Sequence, residues 1–356
     1  MDKICNLLWS HATVDVTGEV RPCCRFRELD YKLPHINDGL DAAWNGVVFN
    51  DIRNRMQEGE HLPHCEKCWQ QERAGGESLR TLYNKRFPNA LNEYKIKFLE
   101  IGFSTHCNLA CRICNSAFSS KWWTIENPGK SVELGYDIDI NNLDLDLSEL
   151  EEIKIVGGEP MMAKQHDQFL ELVVSQSKKP VTLIYYTNGT VFPSQRIIDY
   201  WRKMHHVYIN ISIDGLGRTN DYQRPGSQWH ILESNVDNYH CLDLENITIR
   251  SHSVLSVLNI WDWNDFYDWH ARFFWDQTMS IDFAEAPDHL SLRNMPEHLK
   301  DRAFKYIVEN VKDAEHRRRI TQKICEEPRE GKQTTVEEIK QKEKLLDDYF
   351  DQENKL

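Results

Sequence analysis

The residues best placed to do chemistry lie in one run, Cys107-Asn108-Leu109-Ala110-Cys111-Arg112-Ile113-Cys114, with the spacing C-x3-C-x2-C. Three thiolates on so short a loop can each hold one iron of a cubane cluster. The fourth iron then has no protein ligand and is open to the amino and carboxylate groups of a small molecule. The same thiols with a fourth donor, such as His106, can instead hold a tetrahedral zinc ion. Eight of the ten cysteines lie in the first third of the chain. In a reducing compartment such clustering points to metal rather than to disulfides.

These residues need elements to aim them. From about residue 95 to 290, short apolar runs alternate with longer amphipathic stretches, the βα pattern of a parallel sheet or barrel. The strand candidates are 95–103, 152–156, 181–187, 207–214, 247–255 and 280–284. Helical patterns fall at 163–177, 194–204, 231–240 and 263–274. Six strands with intervening helices predict a partial (β/α)6 barrel, whose active site belongs at the C-terminal ends of the strands. The three-cysteine run follows the first of them. Residues 1 to about 90 look irregular and carry the scattered cysteines. The chain from about 296 is charged and helical in pattern, with a helix expected near 335–354.

Other motifs fall at the same strand ends. Gly157-Gly158-Glu159-Pro160 follows the second strand; its glycines allow close backbone approach, and its carboxylate and carbonyls can accept hydrogen bonds from an ammonium group. Thr187-Asn188-Gly189 ends the third strand. Ser212-Ile213-Asp214-Gly215 ends the fourth, and Arg224 lies twelve residues after Ser212. An arginine's planar fork suits a carboxylate.

The order and placement of these motifs resemble the radical S-adenosylmethionine (SAM) superfamily. The resemblance implies a [4Fe–4S] cluster on Cys107, Cys111 and Cys114 that reductively cleaves SAM to a 5′-deoxyadenosyl radical, which takes hydrogen from a substrate C–H bond. It implies that Gly157, Gly158, Glu159 and Pro160 hold the SAM amino group, and that Ser212 and Arg224 grip its carboxylate. Asn188 and Asp214 belong to the same strand-end set. The residue before the third cysteine, commonly aromatic in the superfamily, is Ile113 here; an aliphatic side chain can still pack on the adenine.

Cys5, then Gly18-x4-Cys23, then Cys65-Glu66-Lys67-Cys68-Trp69 resembles half of the SPASM auxiliary-cluster module, in its shorter twitch form, placed ahead of the barrel. This implies Cys5, Cys23, Cys65 and Cys68 as four thiolates for a second [4Fe–4S] cluster. Cys24 is a possible substitute for Cys23, and a structural four-cysteine zinc site is the alternative. A fully ligated cluster suits electron transfer.

Composition narrows the partners. The net charge is −13, which does not favour broad binding to nucleic acid or anionic membrane. The basic run Arg317–Arg319 reads as a solvated helix face. There is no long apolar stretch for a transmembrane helix or signal peptide, so the expected location is cytoplasmic. The acidic stretch 137–152 lacks the glycine and terminal acid of a calcium loop and reads as a solvated connection. Cys241 and Cys325 read as small buried apolar residues, with hydrogen-atom donation to a product radical a lesser reading. The eleven tryptophans read as core or interface, and His205-His206 as a connection.

The resulting expectation is a twitch-like module over 1–90, a partial barrel over 91–290 and a helical extension over 291–356. The enzyme, an oxidoreductase or transferase, is expected to act on a peptide or protein side chain, by analogy. A flavodoxin or ferredoxin would supply electrons. A nucleotide or other small molecule is the alternative substrate, and a non-catalytic iron–sulfur or zinc module the alternative class.

Overall fold

A computed structural model of the chain describes residues 3–131, 138–140, 143–144, 146–274, 279–328 and 333–352. Asp137, Asn141 and Asn142 of the acidic stretch, and the end of the expected C-terminal helix at Asn354, lie outside them.

Six parallel strands stand where the apolar runs placed them: β3 (Phe98–Gly102), β4 (Glu152–Val156), β5 (Thr182–Thr187), β6 (His206–Ser212), β7 (Ile247–Leu255) and β8 (Ser280–Phe283). The first region is not irregular, as it reads in sequence. It contributes β1 (His11–Val14) and β2 (Val20–Arg21), and the sheet order is β2-β1-β3-β4-β5-β6-β7-β8. β1 runs parallel to β3, with His11 opposite Phe98 and Val14 opposite Ile101. All four β1 residues are buried, so the strand has no alternation to betray it. The main core accordingly runs through Ala12, Val14, Leu40 and Trp44 as well as the barrel strands.

The two faces of the sheet differ in chemistry. Leu99, Ile153, Leu183 and Val207 follow one another across the register and share one face with Ile249, two residues beyond Val207's partner Ile247. They join one core with Phe169, Leu170 and Val173 of helix His166–Gln176, Ile197 and Trp201 of helix Gln195–Trp201, and Leu232 and Val236 of helix Trp229–His240. Side chains alternate along a strand, so Glu100, Lys154, Tyr186, Tyr208, Arg250, His252 and Asp282 lie on the other face. That face holds a polar network. Lys154 pairs with Glu100 at 3.3 Å and lies over Tyr186. Tyr186 meets His252 edge to face, and His252 binds Asp282 at 3.1 Å.

The C-terminal helix Val336–Phe350 begins on a capping box. Thr335 Oγ1 accepts from the Glu338 N–H, and the Glu338 carboxylate accepts from the Thr335 N–H. Such a pair satisfies two otherwise orphaned donors at a helix start.

Candidate cluster sites at the two ends of the sheet

The loop after β3 carries Cys107, Cys111 and Cys114 and has almost no regular structure, so its shape comes from outside contacts. The Cys107 N–H donates to Ser120 Oγ at 3.1 Å. The Ala110 and Arg112 N–H groups donate to the carbonyls of Pro225 and Gln223, both at 2.9 Å. Trp122 Nε1 donates to the Cys111 carbonyl at 2.9 Å. The glycine motif after β4 packs against this loop through backbone: the Gly158 N–H donates to Ser104 O at 3.0 Å and the Glu159 N–H to His106 O at 2.8 Å. A Cβ on Gly158 would lie 2.4 Å from His106 O. The close approach requires glycine there.

Glu159 does not present a free carboxylate. It is buried and accepts from Thr187 Oγ1 at 2.7 Å, the Asn188 N–H at 2.7 Å and the Met161 N–H at 3.1 Å. It ties the end of β4 to the end of β5. An ammonium acceptor at this motif must therefore come chiefly from backbone carbonyls. Pro160 opens a short turn, Pro160–Met162. Asn188 is turned to the cysteine loop, with Nδ2 2.9 Å from Asn108 Oδ1 and 3.9 Å from Cys107 Sγ. Ile113 is half-buried against the main core.

Arg224 is buried beside the thiols. Its Nη2 pairs with Asp214 Oδ2 at 2.8 Å, and its Nη1 is 3.6 Å from Cys111 Sγ. Asp214 Oδ1 accepts from the Val254 N–H at 2.7 Å. Arg224 is thus held by Asp214, and Ser212 sits half-buried at the end of β6. Its Nε is buried without a partner among the described residues. A buried donor left unpaired is costly, and a bound carboxylate would satisfy it.

The thiols themselves fit a cluster. Burial pushes Cys107 and Cys114 up to about 12, aided by the neighbouring thiols. Cys111 is also raised by burial, with Arg224 opposing. Without a metal these groups stay protonated; a bound iron centre supplies the positive charge that makes the thiolates favourable. Among the described residues no group of three or more His, Cys, Asp or Glu converges tightly enough for a single ion. A cubane, whose thiolates bind different irons, does not ask for that convergence.

The second set lies toward the opposite end of the strands. Cys5 precedes the turn Asn6–Trp9 that leads into β1, and helix Leu79–Arg86 packs at the start of β4 through the Tyr83 hydroxyl, which donates to Glu152 at 2.6 Å. Cys65 and Cys68 flank the start of helix Glu66–Arg73. Cys5, Cys23 and Cys65 pack against one small core of Leu7, Trp9, Met56 and Leu62. Burial raises Cys5 and Cys65 to about 12 and lifts Cys23 well above the usual thiol value. Cys65 and Cys68 act on Cys5, while Cys24, Cys5 and Cys65 act on Cys23. Cys24 faces elsewhere: its thiol, raised to about 11 by burial and by Glu100, hydrogen-bonds Glu100 on the polar face of the sheet and lies near Lys154. Arg80, held by Glu72 at 2.6 Å, is the nearby cation acting on Cys5 and Cys65.

Sequence reasoning passed over Arg80 and, more consequentially, Arg112 with its partners Glu343 and Asp347. The signal was present. Glu343 interrupts the apolar stripe Ile339, Leu346 and Phe350 of the C-terminal helix, and Asp347 follows it by one turn. Cys241 and Cys325, expected to be buried, are both exposed; each stands just past a helix end, where the C-cap reaches solvent.

Residues 5–69 match the SPASM iron–sulfur cluster-binding domain, and residues 98–235 match a 4Fe–4S single cluster domain. These two matches bear out the likeness to radical SAM proteins that carry a SPASM-like cluster domain. The cofactors of this class are a SAM-binding [4Fe–4S] cluster, SAM, and the SPASM-type auxiliary cluster. No curated protein matches the sequence. Solved structures that resemble it include native anSMEcpe with bound AdoMet, at 17% identity and a TM-score of 0.44 over 60% of this chain and 58% of that one. Streptococcus suis SuiB bound to S-adenosylmethionine is another, at 14% identity and a TM-score of 0.37 over 85% and 68%. SuiB bound to its precursor peptide SuiA stands at 12% and 0.38 over 84% and 68%. The chain thus spans less than two thirds of the length of anSMEcpe. Among the described residues no helix is long and apolar enough to cross a membrane.

Proposed function

We propose that this protein reductively cleaves SAM and uses the 5′-deoxyadenosyl radical to abstract hydrogen from a C–H bond of a peptide or protein side chain, with the N-terminal cluster exchanging electrons. One observation carries the reading. Three half-buried thiols stand at the C-terminal ends of the strands beside Arg224, whose buried Nε lacks a partner among the described residues. Cys107, Cys111 and Cys114 would hold the SAM-site cluster. Cys5, Cys23, Cys65 and Cys68 would hold the auxiliary one. Bound there, the two clusters supply one-electron chemistry.

The chain's own residues do the rest. Asp214 aims Arg224 toward the position of a ligand carboxylate. Glu159 fixes the strand ends so that backbone at Gly157 and Gly158 meets the loop. The polar face between the two thiol sets is the substrate surface. The strands rise about 3.3 Å per residue, so five-residue β3 separates its two ends by about 16 Å. Lys154, Glu100, His252 and Asp282 line that span and suit a polar substrate. The peptide assignment rests on the SPASM likeness. On this reading the protein works in a reducing cytoplasm and takes electrons from a small carrier such as flavodoxin or ferredoxin.

The test is anaerobic purification and reconstitution, then iron and zinc analysis, then an assay for 5′-deoxyadenosine with SAM and dithionite. About eight irons per chain with deoxyadenosine formed supports both clusters. About four irons with zinc retained makes the N-terminal site structural. No iron and no deoxyadenosine, where a control enzyme works, leaves a binding module.

A further inference from the structure

Arg112 lies between the second and third thiols of the loop, yet its side chain points away from them and is fully buried. Nε donates to the Tyr222 carbonyl at 2.6 Å, and the guanidinium lies over the Tyr222 ring at 3.7 Å. Nη1 pairs with Glu343 at 2.6 Å. Nη2 pairs with Asp347 at 2.6 Å and donates to Gln352 at 2.9 Å. Glu343, Asp347 and Gln352 all belong to the C-terminal helix or its end. The same helix presses Leu346 and Phe350 onto Ala110, Ile125 and Trp122, and Lys121 lies over Tyr349. Glu343 also binds His289, 2.5 Å away, in the segment after β8. One helix therefore joins the loop after the first barrel strand to the segment after the last.

We propose that Arg112 is a positioning residue and that the C-terminal helix, through Glu343 and Asp347, clamps the three-thiol loop in its cluster-holding shape. The loop needs such a device. Its backbone has few regular hydrogen bonds, and the Arg112 N–H is already fixed to Gln223. A shift of the guanidinium thus passes directly to Cys111 and Cys114. The clamp acts on the chain and touches neither thiols nor SAM. It rests on the reading of this loop as the SAM-cluster site.

The experiment uses reconstituted full-length protein and the variants Glu343→Gln, Asp347→Asn and the two combined. It reads the rate at which a ferrous chelator strips iron, and the electron paramagnetic resonance signal of the reduced cluster with and without SAM. The variant C107A/C111A/C114A, keeping only the auxiliary cluster, supplies the reference signal. Circular dichroism checks the fold. The expected result is iron loss from the three-cysteine site faster by about tenfold, a weakened SAM-induced change in its signal, and an unchanged auxiliary signal. The single variants, each keeping one carboxylate, are read alone if the combined one does not fold. Wild-type protein with no iron on the three cysteines overturns the cluster reading and the clamp with it. Wild-type iron that the variants lose no faster, with unaltered signals, overturns the clamp alone.

Discussion

Arg224 is held by Asp214 at 2.8 Å, with both side chains buried. That pair turns an ordinary strand-end aspartate into the part that aims a cation at the ligand side of the cysteine loop. Removing one partner of a buried ion pair strands the other charge, at a cost of about 3 kcal/mol. Asp214→Asn is expected to lower unfolding stability by that order, read by denaturant titration, and to weaken SAM binding. Arg224→Met, which strands the buried Asp214 carboxylate, is expected to weaken SAM binding at a stability cost of the same order. Equal affinity for SAM in wild type and both variants would show that Arg224 does not meet the carboxylate.

Cys23 and Cys24 are neighbours with different surroundings. Cys23 interacts with Cys5 and Cys65, whereas Cys24 meets Glu100 on the polar face. Cys23→Ala is expected to cost the auxiliary cluster, about four irons per chain, while Cys24→Ala keeps it. Iron analysis decides, and the reverse pattern would make Cys24 the ligand.

Gly158 leaves no room for a side chain, since a Cβ there would lie 2.4 Å from His106 O. Overpacking of this kind costs roughly 1–3 kcal/mol. Here the neighbour is backbone of the cysteine loop and cannot swing aside. Gly158→Ala is expected to lower the melting temperature and reduce iron on the three cysteines, with the auxiliary cluster kept. Retention of all iron at wild-type stability would count against the close packing.

His11 and His166 are buried and held neutral, each lowered to about 3 by desolvation. His11 Nδ1 donates to the Phe98 carbonyl at 2.8 Å, and Nε2 is 3.0 Å from Thr13 Oγ1. In the unfolded chain both histidines titrate near their usual ~6.5. Between that pH and 3 the unfolded state binds protons that the folded state refuses. Stability is therefore complete above pH 6.5 and is lost as pH falls below it. Each histidine contributes a slope approaching about 1.4 kcal/mol per pH unit. Denaturant unfolding at pH 7.5 and 5.5 checks this, and His11→Gln should remove one share of the slope. A flat profile between those values would mean that these rings gain protons in the folded state.

Arg250 and His252 lie on the polar face of the sheet, on the proposed substrate surface. Arg250→Ala and His252→Ala are expected to leave deoxyadenosine formation without substrate unchanged, while lowering its stimulation by a peptide substrate. The deoxyadenosine assay with and without peptide reads both. A fall in the unstimulated rate would place these residues in SAM binding instead.

The amino-acid sequence alone determined the parallel sheet from β3 to β8, its helices, and the order of the cysteine, glycine and Ser-x-Asp-Gly motifs at the strand ends. Those features are local: apolar runs report burial, and glycines report close approach, whatever lies far along the chain. Only the tertiary structure decided that β1 joins the same sheet, because four wholly buried residues carry no period. It alone turned Cys24 away from Cys5 and Cys65, since adjacent residues point apart according to the backbone they stand on. It alone paired Arg112 with Glu343, 231 residues away. A buried charge takes its partner from whichever segment folds over it, and no local pattern carries that choice.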